Sequence, residues 1–319
     1  MIVPDRRVSW FGLLFDRRGS MVPRIGGRLL VVFLVACAVT LQAHIMGQVI
    51  YDLSVVPFTL ISLALGVFLG FRNNTSYDRY WEGRRLWGRL VNDARSFARL
   101  VLHVVDAEAT RATALDRGAT DALQRDMVYR MIAYVHSLRM HLRNQLSDLG
   151  PLTAFLPEAE IAALPVQRNV PIAVLQTIST RVLAARRAGV LRHRDVHLLE
   201  NMLTDICDVQ GGCERIKNTP IPWSYTVLMH SIVAVYCFAL PFGLVGTTQL
   251  ATPLVVALIA YAFLGLDAVG DELEDPFGSD YNDLPLDTLA RMIEVNLRQL
   301  LGETDLPPLL TPNAERVST

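Results

Sequence analysis

The densest set of chemically capable side chains lies near the C-terminal end of the chain. Asp267, Asp271 and Glu274 recur at helical spacing, Glu272 and Asp275 adjoin them, and Asp280 and Asp283 follow. The first three share one face of a helix, and carboxylates this close to an apolar run need cationic partners. The Arg-rich stretch 79–99 is the expected supplier. Ion pairing is therefore the first reading; attraction of cations to a pore mouth and calcium binding are the functional alternatives. No EF-hand pattern is present. A second set, His193 and His197 at i, i+4 with Glu200 a turn further, has a spacing that could bind a transition metal, but a third convincing ligand is missing. The four cysteines are scattered, two of them in apolar runs, and fit neither a disulfide framework nor a zinc motif. We expect no metal site and no cofactor. The sequence shows no HExxH, no GxSxG, no phosphate-cradling glycine loop and no acid–base pair inside an apolar run, so no enzyme is expected.

The third set is apolar. Leu63, Val67 and Phe71 stand at i, i+4 and i+8 on one helix face, with small or weakly polar Ser62, Ala64, Gly66 and Gly70 between them. On one helix such a stripe faces lipid or other helices. Repeated by several copies around an axis, it forms a hydrophobic constriction that stops ions when dry and passes them when widened and wetted. Gly66 and Gly70 permit close helix approach. Arg72, Asn73 and Asn74 follow at once, and fit either a polar ring in a water-filled vestibule or an interfacial cap with Arg72 snorkelling.

The elements that carry these residues are membrane helices. A chain of 319 residues with 51% hydrophobic and 19% charged residues and a mean hydropathy of +0.31 is too apolar for an ordinary soluble protein. Apolar runs at 29–50, 55–72, 222–246 and 251–270 are each long enough, at about 20 residues, to cross roughly 30 Å of hydrocarbon. In lipid they satisfy their backbone only as helices. Residues 41–54 and 243–253 lack Arg and Lys, whereas Arg17, Arg18, Arg24 and Arg28 precede the first run and Arg72, Arg79, Arg84, Arg85 and Arg89 follow the second. Arginine accumulates on the cytoplasmic side, so both termini and the long middle segment are expected there.

The expected organisation is a cytoplasmic N-terminal segment over 1–28, two membrane hairpins, a cytoplasmic helical domain over 73–219, an acidic segment and helix over 271–306, and a flexible tail over 307–319. Within the middle segment, Tyr80, Trp87, Leu90, Ala94, Phe97, Val101 and Val104 form a helical stripe that continues from span two. Leu123, Met127, Met131, Tyr134 and Leu138 form a second, a third helix starts after Pro165 and Pro171 and ends at Gly189, and a fourth carries Val196 to Val209. No period-two alternation suggests strands, so the expected fold is all-α. The cations are Arg almost throughout, a pattern that gives no reason to expect nucleic-acid binding. A secondary transporter is the rival to a channel, given Pro57 and Pro241 in the spans, but no inverted repeat appears and the centres of the spans lack charge.

Three stretches together, FLGFRNNTSYDRYWEGRRLWG (68–88), GGCERIKNTPIPWSYTVLMH (211–230) and DELEDPFGSDYNDLPL (271–286), resemble the corresponding segments of bacterial bestrophin homologues. The resemblance covers nearly the whole chain. It implies a homopentamer in the bacterial inner membrane, with span two lining a narrow neck at Leu63, Val67 and Phe71 and the cytoplasmic helices extending the pore. It also implies a second constriction near Val196 and His197, where a change in the charge of His197 would alter conductance. Family members conduct ions passively; animal members are calcium-activated anion channels and bacterial ones include cation-conducting forms. Small monovalent cations are accordingly expected here, slightly ahead of chloride. Asp280 and Asp283 match two positions of the animal calcium clasp, but Ser279 stands where an acid is expected and Tyr281 and Leu284 dilute the run, so calcium gating is not expected.

Overall fold

The computed structural model describes residues 19–46, 53–112, 117–313 and 318–319. Among these there are helices and no strand. In chain order they are α1 (Val22–Met46), α2 (Val55–Ala112), α3 (Arg117–Leu142), α4 (Glu158–Ala163), α5 (Val170–Arg187), α6 (His193–Asn218), α7 (Trp223–Thr248), α8 (Thr252–Glu274) and α9 (Leu286–Leu300). Short 3-10 turns lie at Gly150–Leu152, Leu164–Val166 and Gln249–Ala251.

The long element is α2. Its 58 residues extend roughly 87 Å at 1.5 Å per residue, far more than the hydrocarbon thickness of a bilayer. It runs through both cores of the molecule. At its first half, Leu65 and Leu69 are buried with Ile25, Val32 and Ala36 of α1, Met229, Val233 and Leu240 of α7, and Val256, Ala260 and Leu264 of α8. At its second half, Trp87, Leu90, Ala94, Phe97 and Val101 pack with Met127, Met131, Tyr134 and Leu138 of α3, Leu199 and Ile206 of α6, and Ile293 and Leu297 of α9. Both aliphatic and aromatic stripes read from the sequence thus face the second core.

By length and composition, Val22–Met46, Val55–Val105 and Trp223–Glu274 contain segments able to cross a membrane. The last of these is two helices, because the 3-10 turn after Thr248, with Gln249 at φ 48°, reverses the chain. Thr248 meets Thr252, Tyr236 meets Phe263 and His230 meets Asp267, pairs whose positions run in opposite directions, so α7 and α8 form an antiparallel hairpin. Pro241 sits inside α7. Its missing N–H is tolerated because the helix is packed on both α2 and α8.

Local chemistry fixes the ends of the body helices. Asn169 caps α5 by accepting from the Ile172 N–H at 3.2 Å. Gly189, at φ +78°, closes it: the Val190 N–H reaches the Ala185 carbonyl at 2.9 Å and the Gly189 N–H reaches that of Arg186 at 3.1 Å. α1 begins seven residues before the apolar run read at 29–50, so Gly26, Gly27 and Arg28 are helical, and α8 continues to Glu274 beyond the run at 251–270. Residues 1–18 and 47–52 lie outside the described residues, among them 47–50 of the run read at 29–50, as do 314–317 of the stretch read as a tail. At the end of that stretch, the Thr319 carbonyl accepts from the Thr288 N–H at 2.8 Å and Ser318 Oγ lies 2.8 Å from Thr288 Oγ1.

Candidate ion pathway and the clamp behind it

While one face of α2 is buried by α7 and α8, the opposite face carries Leu63, Val67 and Phe71, which are 70%, 50% and 63% exposed. The structure therefore brings the three together on one apolar strip that the protomer itself does not cover. Gly66 and Gly70 lie on the same exposed side, with no atom within 4 Å of a Cβ built on either. By contrast, glycines elsewhere receive α2 side chains closely. A Cβ on Gly243 of α7 would run into the Phe58 ring, one on Gly270 of α8 would stand 2.6 Å from Asn73 Oδ1, and one on Gly212 of α6 2.9 Å from Leu86. Three helices thus hold α2 through glycine notches that bare backbone alone permits.

Immediately beyond Phe71 the three residues read as either a polar ring or an interfacial cap differ in their surroundings. Asn74 is exposed and Asn73 half-buried, but Arg72 is 1% exposed. Its side chain turns inward, because two carboxylates of α8 wait there. Nη1 donates to Asp267 Oδ1 at 2.7 Å, and Nη2 donates to Asp271 Oδ1. His230 of α7 completes the group, with Nδ1 2.6 Å from Asp267 Oδ2 and Nε2 3.5 Å from Asp271 Oδ1. Asp267 is itself buried, and among the described residues its carboxylate is met by Arg72 and His230. The expectation that apolar runs hold no acid–base pair is overturned here. His230 stands in one run and Asp267 in the next, and only the hairpin joins them. A histidine and an aspartate near matching ends of adjacent apolar runs are the signal that sequence reading passed over.

The remaining acids find partners other than those expected. Asp280 pairs with Arg24 of α1, which also lies 3.8 Å from Glu272, and Asn282 donates to Glu272 at 3.0 Å. Arg79, from the stretch expected to supply the ion pairs, instead donates to main-chain carbonyls at two helix ends: Ile216 in the last turn of α6 and Thr219 just after it, both at 2.6 Å, and Glu274 at 3.1 Å at the end of α8. The helix-end carbonyls carry partial negative charge, so they accept from a guanidinium as a carboxylate does. Glu274 turns its carboxylate to the Ile221 N–H at 2.9 Å. Asp283 is buried and accepts from the Asp280 N–H at 2.6 Å; burial, with Asp280, Asp275 and Glu272 close by, pushes its carboxyl up to about 6. Its neighbour Phe277 is buried against Gly83 of α2. Among the described residues the ligand atoms that lie within 4.8 Å of one another are those of His230, Asp267 and Asp271, not those of Asp275, Asp280 and Asp283.

At the second expected constriction the structure separates the two residues. Val196 is buried in the core of the body, and His197 is exposed beside exposed Leu198 at the start of α6. Both belong to one turn, but a step of about 100° per residue turns Val196 into the core and His197 away from it. His193 is exposed as well, and Glu200 accepts from Ser179 at 3.1 Å. Further along the exposed side of α2, Tyr77 stacks on Trp81 with centroids 6.4 Å apart, and the Arg84 and Arg85 guanidiniums lie 5.9 and 5.5 Å from the Trp81 ring. At 3.6 residues per turn Trp81 returns to the azimuth of Leu63, so aromatic and basic side chains continue the apolar strip.

This architecture has known counterparts. A crystal structure of a bacterial bestrophin homologue from Klebsiella pneumoniae superposes with a TM-score of 0.80 at 33% identity, covering 89% of this chain and 100% of that one. A voltage-dependent anion channel-forming protein of Ralstonia nicotianae is 39% identical over 301 residues, 94% of each chain. One of the same description from Salmonella typhimurium is 37% identical over 313 residues, 98% of each. The sequence pattern of the bacterial/fungal bestrophin family matches residues 1–299. The chain belongs to the bacterial/fungal bestrophin family.

Proposed function

We propose that copies of this chain, five by the family resemblance, assemble around one axis as a channel that passes small monovalent ions passively. The observation that carries the reading is the uncovered strip Leu63, Val67 and Phe71 on a helix whose other face is buried. A ring of these side chains makes a narrow apolar neck whose wetting controls ion flow. Gly66 and Gly70, open in the protomer, allow the copies of α2 to approach closely. The arginine distribution supports a topology with the helical body and both termini in the cytoplasm of a bacterial inner membrane. Asn73 and Asn74 follow the neck, and exposed His197 of α6 is the residue we retain for the cytoplasmic aperture.

An apolar neck has no charge preference of its own, so selectivity depends on the charges beside the path. Arg84 and Arg85, exposed on the continuation of the neck strip, raise the local anion concentration. The descriptions of the Ralstonia and Salmonella relatives agree with this. We therefore favour chloride-like anions over the sodium and potassium expected from the sequence. Purified protein in planar bilayers under a salt gradient tests the proposal. A reversal potential near the chloride equilibrium value is expected, one near the cation value refutes the selectivity, and saturable coupled exchange without current refutes the channel.

A further inference from the structure

The exposed strip of α2 does not end at Trp81. Arg99 stands 36 residues beyond Leu63, ten turns of an ideal helix, and Arg95 lies one turn before it. Both are exposed, as are Gly88 and Asn92 between them and Arg85. At 1.5 Å per residue they lie about 36–42 Å past Phe71, in the helical body and well clear of the hydrocarbon. There α2 and α9 flank an open cavity of about 460 Å³, lined by Arg95, Ser96, Arg99, Asn296, Gln299 and Leu300.

The charges of this cavity are uncompensated. Elsewhere in the body Arg89, Arg130, Arg143 and Arg215 each meet a carboxylate. Arg95 instead donates through Nε, at 2.8 Å, and through Nη2 to the amide oxygen of Asn296, which fixes the guanidinium without cancelling its charge. Arg99 has no ion-pair or hydrogen-bond partner among the described residues. The two stand at i, i+4, where like charges oppose each other across roughly 5–6 Å between Cβ atoms. Among the described residues no carboxylate lines the cavity to relieve them. A guanidinium held in place beside a second one is a preorganised seat for an anion.

We propose that this cavity binds a small phosphorylated polyol. A phosphate monoester carries nearly two negative charges at neutral pH, which match two guanidiniums where chloride would match one. Ser96, Asn296 and Gln299 add a hydroxyl and two amides, neutral groups that both donate and accept and so suit the hydroxyls of a polyol. Leu300 is the one apolar side chain of the described lining, which leaves no aromatic face on which a nucleobase could stack. Because Arg95 and Arg99 share the azimuth of the neck strip, a bound phosphate sits on the wall of the path and cancels its positive charge there. Anion flow then falls, a consequence that rests on the channel reading above.

Isothermal titration of the purified protein with glycerol 3-phosphate, at fixed pH and salt, tests the site without any current. Saturable binding is expected, and inorganic phosphate and succinate should bind at least about tenfold more weakly. Arg95→Gln and Arg99→Gln should each weaken binding by about tenfold or more. Replacing Arg186 and Arg187 together by Gln, which removes two exposed charges from the end of α5, should leave binding unchanged. Arg99 is exposed and holds no described partner, so Arg99→Gln should keep the wild-type circular dichroism spectrum. No saturable binding, equal binding of inorganic phosphate or succinate, or binding that survives in Arg99→Gln overturns the site. Bilayer current supplies the second arm: glycerol 3-phosphate on the side of the helical body should lower wild-type chloride current at least about twofold and leave that of Arg99→Gln unaffected. Saturable binding with undiminished current overturns the effect on flow alone. A wild type that binds glycerol 3-phosphate yet never conducts overturns the channel reading and that effect, and leaves the site in place.

Discussion

Replacing Asp283 by Asn should stabilise the protein at pH 7.5. The carboxyl is buried, with Asp280, Asp275 and Glu272 around it, and it is raised from the usual aspartate range to about 6. The sign follows from proton binding. Between pH 4 and 6 the folded chain holds this proton and the unfolded chain has lost it, so folding stability from this group falls as pH rises through that window and the full cost is present above it. A rise of that size corresponds to about 3 kcal/mol. Asparagine imitates the neutral acid, and its Oδ1 can still accept from the Asp280 N–H that now reaches Asp283 Oδ2 at 2.6 Å. Thermal unfolding of both proteins in the same detergent should therefore give a midpoint higher by about 4–8 °C for Asp283→Asn at pH 7.5. The gap should narrow as pH is lowered to 5, and the difference between the two proteins cancels the titration of every other carboxylate. A variant that is less stable than wild type at pH 7.5, or a gap that does not change with pH, refutes the reasoning.

Other groups give predictions of different sign and size. Removing Arg72, as in Arg72→Met, leaves Asp267 buried and short of its guanidinium and should cost about 3–5 kcal/mol, with part regained by adding Asp267→Asn; unfolding midpoints of the single and double variants check this. Arg130, 1% exposed at its side chain, joins Asp126 and Glu160 at 3.1 and 2.8 Å and Thr177 at 2.9 Å. Its hydrogen bonds hold the Glu160 carboxyl below the usual range, so this contribution is present above the unfolded value and is lost as pH falls through the lowered folded one. Arg130→Met should accordingly be destabilised at pH 7 and lie closer to wild type near pH 3, as read from unfolding curves at the two values. Gly243→Ala drives a methyl into the Phe58 ring and should cost about 1–3 kcal/mol, whereas Gly66→Ala meets nothing in the protomer and should leave its secondary structure and folding unchanged by circular dichroism.

What could be read beforehand follows from which interactions are local. The stripes Trp87 to Val101 and Met127 to Leu138 announced buried helix faces because a single helix and its own period determine them, and the strip Leu63, Val67 and Phe71 was legible for the same reason. The Asn169 cap and the Gly189 stop are equally local. The partners of the charges were not legible. Arg72 and Asp267 are far apart in sequence, and only the packing of α2 on α8 decides that the arginine turns inward rather than toward a vestibule. Arg79 was expected on carboxylates, yet a helix-end carbonyl carries no mark in the sequence. At Val196 and His197 a single step along the helix rotates a side chain by about 100°, which separates a core residue from an exposed one and lies within the error of any motif match.

The central claim is that Leu63, Val67 and Phe71 of several copies form the narrowest part of a shared water path. It is tested most directly by single-channel recording of the assembled protein with all three replaced by alanine, after light scattering has established that the variant keeps the wild-type oligomeric mass. The account predicts a several-fold larger conductance and passage of larger ions than wild type admits. Unchanged conductance in a correctly assembled variant, or a wild-type protein that is monomeric in both detergent and lipid, would contradict it.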